Sequence, residues 1–153
     1  MLTATKYPDS IHKDSFMVGL EYQDFVTDVL FREMGWSLAN YSSKKYQYEK
    51  GENIQNTEIK FDEGWTKYNH LSIEIAEKSK NDVNMSWVES GILAGSTFYV
   101  QGNYDELCVF ATNHLVYYYE NNNPELTEKF GTIKTFYLER EVIERIAIKT
   151  ITT

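Results

Sequence analysis

Two stretches of the chain alternate charged with apolar residues, at positions 57–62 and 71–78. Successive side chains of a β-strand point to opposite faces, so the first stretch would place Glu58, Lys60 and Asp62 together on one face. Crowding like charges in this way costs free energy. A divalent cation bound by the carboxylate oxygens would offset that cost. The first chemistry that the sequence suggests is therefore metal binding.

The second stretch would place Glu74, Ala76 and Lys78 on one face of a strand, opposite its apolar residues. Residues 64–69 between the two stretches are predicted to form a loop. If the two strands pair as an antiparallel hairpin, Lys60 falls near Glu74. Alternating Glu and Lys is also typical of the solvated face of a sheet, and both interpretations stay open.

The remaining pattern predicts the elements that would position these residues. Residues 19–34 have apolar positions at helical spacing, and Gly35 follows as a C-terminal cap. Strands are predicted at 37–41, 45–48, 97–101, 107–111 and 132–138, a short helix at 85–93, and a helix at 139–149; the segment 114–120 fits either state. The order of elements predicts an α/β or α+β fold in which helices flank one mixed β-sheet.

Composition limits the class of protein. The 153 residues fit a single domain, 1–153, with 1–17 as an N-terminal arm. The single cysteine, Cys108, excludes an intrachain disulfide and a cysteine-based zinc site. We expect no membrane span, because no long apolar run is present, and we expect a cytoplasmic protein. The net charge of −8 argues against broad attraction to nucleic acid, although metal-binding carboxylates also add negative charge.

Residues 19–36, GLEYQDFVTDVLFREMGW, resemble the first helix of the PD-(D/E)xK nuclease superfamily, which has the restriction-endonuclease-like fold. In that family the helix often carries a Glu or Gln that helps the metal site, and Glu21 and Gln23 both match this feature. The family pattern then has an Asp and, on the following strand, (D/E)-x-K. Asp62 and Glu74 resemble these two acidic positions in type and spacing.

The resemblance covers about residues 19–80 and departs from the family pattern at the lysine. Ala76 stands two residues after Glu74, where the family has lysine. Lys78 and Lys60 are both candidates to replace it.

A second alignment reads residues 58–60, sequence EIK, as the family's E-x-K. It requires an acidic residue in the segment 46–52, where Glu49 and Glu52 qualify. We favour the first alignment because its spacing between the two acidic positions fits the family pattern.

The resemblance implies a nuclease that uses Mg²⁺ or Mn²⁺ to hydrolyse phosphodiester bonds in DNA or RNA, in a phage, a mobile element or a defence system. It assigns metal binding to four carboxylates: Asp62, Glu74, Glu58 and Glu21. Lys78 or Lys60 would orient the attacking water or stabilise the developing negative charge. A homodimer is compatible with this interpretation.

Two alternatives stay open. The first is a nuclease-fold protein whose site is inactive and which acts by binding nucleic acid or protein; Ala76 and the acidic charge favour it. The second is an acidic interaction or inhibitor protein of unrelated fold, whose charge of −8 would pair with a basic protein partner.

Overall fold

A computed structural model describes residues 15–39, 53, 55–79 and 86–153. The helices in these ranges are α1 (Ser15–Met34), α2 (Trp65–Tyr68), α3 (Thr112–Asn122) and α4 (Arg140–Ile146). The strands are β1 (Thr57–Phe61), β2 (His70–Glu77), β3 (Val88–Glu89), β4 (Phe98–Gly102), β5 (Glu106–Ala111), β6 (Thr127–Lys129), β7 (Ile133–Glu139) and β8 (Lys149–Thr152), and a 3₁₀ turn spans Gly91–Leu93. The strand predicted at 45–48 and part of that at 37–41 lie outside the described residues.

The described strands form two four-stranded sheets. Sheet 1 has the order β1-β4-β5-β8, with β1 parallel to β4 and the other pairs antiparallel. Sheet 2 has the order β3-β2-β7-β6 and is antiparallel throughout. The mixed α+β class predicted from sequence is confirmed, but the described strands form two sheets where one was predicted. The alternation within a strand does not specify which strand it pairs with.

The apolar faces produce three layers. Helix α1 covers one face of sheet 1, through a cluster that includes Tyr22, Val26, Val29, Leu30, Ile59, Val100 and Val109. The other face of sheet 1 packs against sheet 2, through a cluster that includes Leu71, Ile73, Tyr99, Cys108, Phe110, Phe136 and Leu138. We call the second cluster the inter-sheet core. None of the helices in the described ranges is long and apolar enough to cross a membrane.

Strands β1 and β2 do not pair with each other, so the hairpin prediction is wrong. β1 pairs with β4 in sheet 1, whereas β2 pairs with β3 and β7 in sheet 2. The connection between them is the helical turn α2, which ends at Asn69 in a left-handed conformation. Trp65 on this turn is fully buried in the inter-sheet core. The buried indole anchors this connection in the core between the two sheets.

A β-bulge in β2 changes which side chains share a face. Glu74 pairs with Thr135 but Ala76 pairs with Lys134, so Ile75 is the extra residue. Ile75 and Ala76 consequently both lie in the inter-sheet core, and the alternation resumes one residue out of step. The prediction that Ala76 and the lysine two residues after it share the face of Glu74 is therefore wrong.

Other elements agree in part with the sequence prediction. The helix at 19–34 and the hairpin of β4 and β5 are confirmed. The ambiguous segment 114–120 is helical, and β3 with the 3₁₀ turn replaces most of the helix predicted at 85–93. The last predicted helix ends at Ile146, and β8 follows it as the fourth strand of sheet 1.

Candidate metal centre

Three charged side chains from the two sheets meet at one place. The Nζ atom of Lys60 lies 3.8 Å from Oε2 of Glu58 and 3.8 Å from Oε1 of Glu74. The side chains of Glu58 and Glu74 are only 17% and 15% exposed, and that of Lys60 is 32% exposed. The prediction that Lys60 lies near Glu74 is confirmed, although a hairpin does not produce it. We call these three residues the carboxylate–lysine cluster.

Strand alternation supplies two members of the cluster. Ile59 points toward α1 and packs in the cluster beneath that helix. Its neighbours Glu58 and Lys60 therefore point to the opposite face of sheet 1. They reach Glu74, whose own neighbours Ile73 and Ile75 are held in the inter-sheet core.

The 3₁₀ turn fixes the backbone of Glu74. Gly91, at the start of this turn, has φ +58°, and a Cβ atom added there would lie 2.0 Å from the carbonyl oxygen of Glu74. The amide of Ser90 donates to the carbonyl of Ile75 over 3.0 Å. Only glycine combines this conformation with such close backbone contact, so the turn requires Gly91. A Ser-Gly pair within an apolar stretch was the available sequence signal.

Burial shapes the electrostatics of the cluster. Loss of hydration raises the pKa of Glu58; the Lys60 ammonium opposes this rise, while the charges of Glu74 and Glu77 add to it. Oε2 of Glu58 is buried and has no hydrogen-bond partner in the described part of the chain. A buried carboxylate oxygen without a donor is costly, and the Lys60 ammonium, 3.8 Å from this atom, offsets part of that cost.

We expect Glu58→Gln to stabilise the metal-free protein at neutral to alkaline pH. The pKa of Glu58 is raised in the folded state above its ordinary value of 4.5, which applies in the unfolded chain. Between these two values the folded state holds more protons, so the stability of the wild type falls as pH rises. Glutamine does not ionise, so the stability of the variant does not fall with pH in this way. Thermal unfolding in EDTA from about pH 4 to pH 8 measures the difference.

The expected result is a melting-temperature gain for Glu58→Gln that is small near pH 4 and grows as the pH rises from the unfolded to the raised folded pKa of Glu58. Glu128→Gln, an exposed carboxylate on β6, serves as the matched control and should show no such trend. A gain for Glu58→Gln that does not depend on pH would show that ionisation of Glu58 does not cause the stabilisation.

Asp62 has a different position from the cluster, at the end of β1. Its Oδ2 accepts hydrogen bonds from the amide of Ser72 (2.8 Å) and from Nε2 of Gln101 (2.9 Å). Nε2 of Gln101 also donates to the carbonyl of Ser72 over 2.8 Å, and its Oε1 accepts from the Tyr99 hydroxyl. Asp62 and Gln101 thus satisfy backbone groups of β2 and join the two sheets. The sequence analysis did not single out Gln101, whose signal is a polar residue in an otherwise apolar strand.

The other predicted site residues lie elsewhere. Glu21 is exposed on α1, which packs on the opposite face of sheet 1 from Glu58 and Lys60. Gln23 on the same helix is 5% exposed. Nζ of Lys78 lies 4.7 Å from the centre of the Trp87 ring, in a cation–π contact. Of the two candidate lysines, Lys60 is the one that contacts Glu74.

The carboxylate–lysine cluster offers a metal ion few ligands. No group of three or more His, Cys, Asp or Glu residues within the described ranges could hold a metal. Glu58 and Glu74 supply two carboxylates, and Mg²⁺ is commonly held by one or two carboxylates with water and substrate phosphate. Glu58 and Glu74 thus supply two of the oxygen ligands that a Mg²⁺ ion would need, with the Lys60 ammonium beside both. Glu49 and Glu52, the further acids of the second alignment, lie outside the described residues.

Comparison with known proteins does not assign the chain to a family. No family model matches the chain, and neither a curated protein nor a solved structure is significantly similar to it. The carboxylate–lysine cluster is therefore the feature from which we infer a function.

Proposed function

We propose that this chain is a Mg²⁺- or Mn²⁺-dependent nuclease of restriction-endonuclease-like fold that hydrolyses phosphodiester bonds in DNA or RNA. The observation that supports the proposal is the position of the Lys60 ammonium, 3.8 Å from carboxylates contributed by two different sheets. A strand bearing E-x-K beside a second, half-buried carboxylate matches the residue types that the reaction requires.

Each member of the cluster has a role in this proposal. Glu58 and Glu74 would bind the metal, which supplies charge stabilisation at the phosphate and a more acidic bound water. Lys60 would orient the attacking water or stabilise negative charge on a phosphate oxygen. Before the metal binds, the ammonium reduces the repulsion between the two carboxylates.

The proposal takes residues 58–60 as the E-x-K segment, as in the second alignment, but uses Glu74 of β2, the acidic residue of the first alignment, as the other carboxylate. Asp62 then acts as a positioning residue, since its hydrogen bond to Ser72 sets the register of β2 two residues before Glu74. Lys78 has no catalytic role in this arrangement, because its ammonium lies against Trp87.

Cleavage assays test the proposed function. Labelled single- and double-stranded DNA and RNA would be incubated with Mg²⁺ or Mn²⁺ and with wild type, Glu74→Gln or the surface control Glu128→Gln. We expect Glu74→Gln to lower the rate by on the order of 10²–10⁴-fold, because a metal ligand contributes several kcal/mol to the transition state. Glu128→Gln should cleave at the wild-type rate.

Two outcomes would overturn the nuclease proposal. Equal cleavage by wild type and Glu74→Gln would identify a contaminating nuclease. Absence of cleavage of all four substrates, with the fold intact by circular dichroism, would favour the alternative of an inactive nuclease-fold or acidic interaction protein.

A further inference from the structure

Three rings form a row on the surface of sheet 2. The ring centres of Tyr68 and His70 are 6.0 Å apart at 18°, and those of His70 and Tyr137 are 4.2 Å apart at 35°. An ammonium group lies at each end: Nζ of Lys67 is 5.2 Å from the Tyr68 ring, and Nζ of Lys129 is 5.9 Å from the Tyr137 ring. We call these five residues the aromatic row.

The row is open to solvent and does not belong to either core. Tyr68 is 59% exposed and Tyr137 is 41% exposed. Cross-strand aromatic pairs do stabilise sheets, and that contribution explains the contact between His70 and Tyr137. It does not explain why Tyr68 extends the row, since this residue lies on α2 and outside the sheet.

The register places the row on the same face of sheet 2 as Glu74. Tyr137 pairs with Ser72, and Thr135 pairs with Glu74. Paired residues share a face, and so do residues two apart on one strand; His70, Tyr137 and Glu74 therefore share one face of sheet 2. His70 and Glu74 are four residues apart on β2, a distance of about 13 Å along the strand.

We propose that the aromatic row binds single-stranded nucleic acid and leads it toward Glu74, an inference that rests on the proposed nuclease function. Exposed rings stack on unpaired bases, and cations at the ends of a stacking surface contact the phosphates on either side. The bases of a duplex are already stacked on each other and offer no faces to these rings. The row thus selects single-stranded DNA or RNA as the substrate class.

The charge of the protein opposes binding of nucleic acid, so stacking would have to supply most of the affinity. The chain carries a net charge of −8, and Glu139 lies beside His70 on the same face. Such a surface repels a polyanion unless specific contacts compensate. The two lysines compensate locally, so binding should be weaker for duplex than for single strand and should depend less on salt than binding by a basic protein.

Fluorescence anisotropy tests the inference without any cleavage. A labelled thymidine oligomer of about a dozen nucleotides would be titrated with protein in EDTA, alongside a duplex of equal length. We expect Tyr68→Ala and Tyr137→Ala each to weaken single-strand binding about 5- to 100-fold. Tyr137→Phe should retain binding because the ring remains. Tyr117→Ala, which removes a tyrosine that is 69% exposed on α3, is the matched control.

The outcomes separate this inference from the nuclease proposal. Binding that is lost in the two alanine variants and kept in Tyr137→Phe and Tyr117→Ala supports the row, whether or not the protein cleaves. No single-strand binding, unchanged binding in Tyr68→Ala and Tyr137→Ala, or tighter binding of duplex would overturn it. If duplex binds more tightly and is also cleaved in a metal-dependent reaction, the nuclease proposal is still supported.

Discussion

Replacing Lys60 with methionine is expected to lower metal-dependent cleavage by on the order of 10²–10³-fold. Methionine keeps much of the side-chain volume but removes the ammonium that lies 3.8 Å from Glu58 and Glu74. In the proposed mechanism, the attacking water and the phosphate would then lose an electrostatic partner in the transition state. Single-turnover cleavage at saturating Mg²⁺ measures the loss.

Two further measurements separate this role from a general loss of structure. Mn²⁺ binding should not weaken in Lys60→Met, because the substitution removes a cation next to the metal ligands. Lys78→Met should retain most of the activity, since that ammonium lies over Trp87. Full cleavage activity in Lys60→Met, or a greater loss of activity in Lys78→Met, would contradict the proposal that Lys60 is the catalytic lysine.

Replacing Gly91 with alanine is expected to destabilise the protein by about 2–5 kcal/mol. The left-handed backbone at φ +58° accounts for part of the cost, because an L-residue is strained there. The remainder comes from the new Cβ, which would meet the carbonyl oxygen of Glu74 at 2.0 Å and force the turn and β2 apart. Urea unfolding of the metal-free protein measures the change.

Gly35→Ala provides the matched control for this effect. Gly35 has φ +70°, and an added Cβ would meet nothing within 4 Å, so only the strain of about 1–2 kcal/mol applies. Equal destabilisation by Gly91→Ala and Gly35→Ala would show that contact with Glu74 does not require a glycine in the turn.

The sequence predicted the elements more accurately than their pairing. Periodicity is a local property, so the helix ending at Gly35 and the hairpin of β4 and β5 could be predicted from nearby residues. The partners of β1 and β2 depend on the burial of Trp65 and on strands much later in the chain. The predicted proximity of Lys60 to Glu74 was correct for a reason that the sequence did not supply.

The candidate site shows the same limit. Alternation in β1 predicted that Glu58 and Lys60 share a face, which the packing of Ile59 beneath α1 confirms. The bulge at Ile75 changes which face the residues after it occupy in β2. No residue type near Ile75 predicts a bulge. That one-residue shift moved Lys78 out of the site and left Lys60 as the lysine beside Glu74.

The most direct test of the account is Mn²⁺ binding by isothermal titration calorimetry, because the central claim is that Glu58 and Glu74 together form a metal site. We expect the wild type and Glu128→Gln to bind Mn²⁺. We expect the affinity to be at least about 10-fold lower in Glu58→Gln and in Glu74→Gln, since each removes one of the two proposed charged ligands. Equal affinity in all four proteins, or no binding by the wild type in the presence of an oligonucleotide substrate, would contradict the proposed metal site.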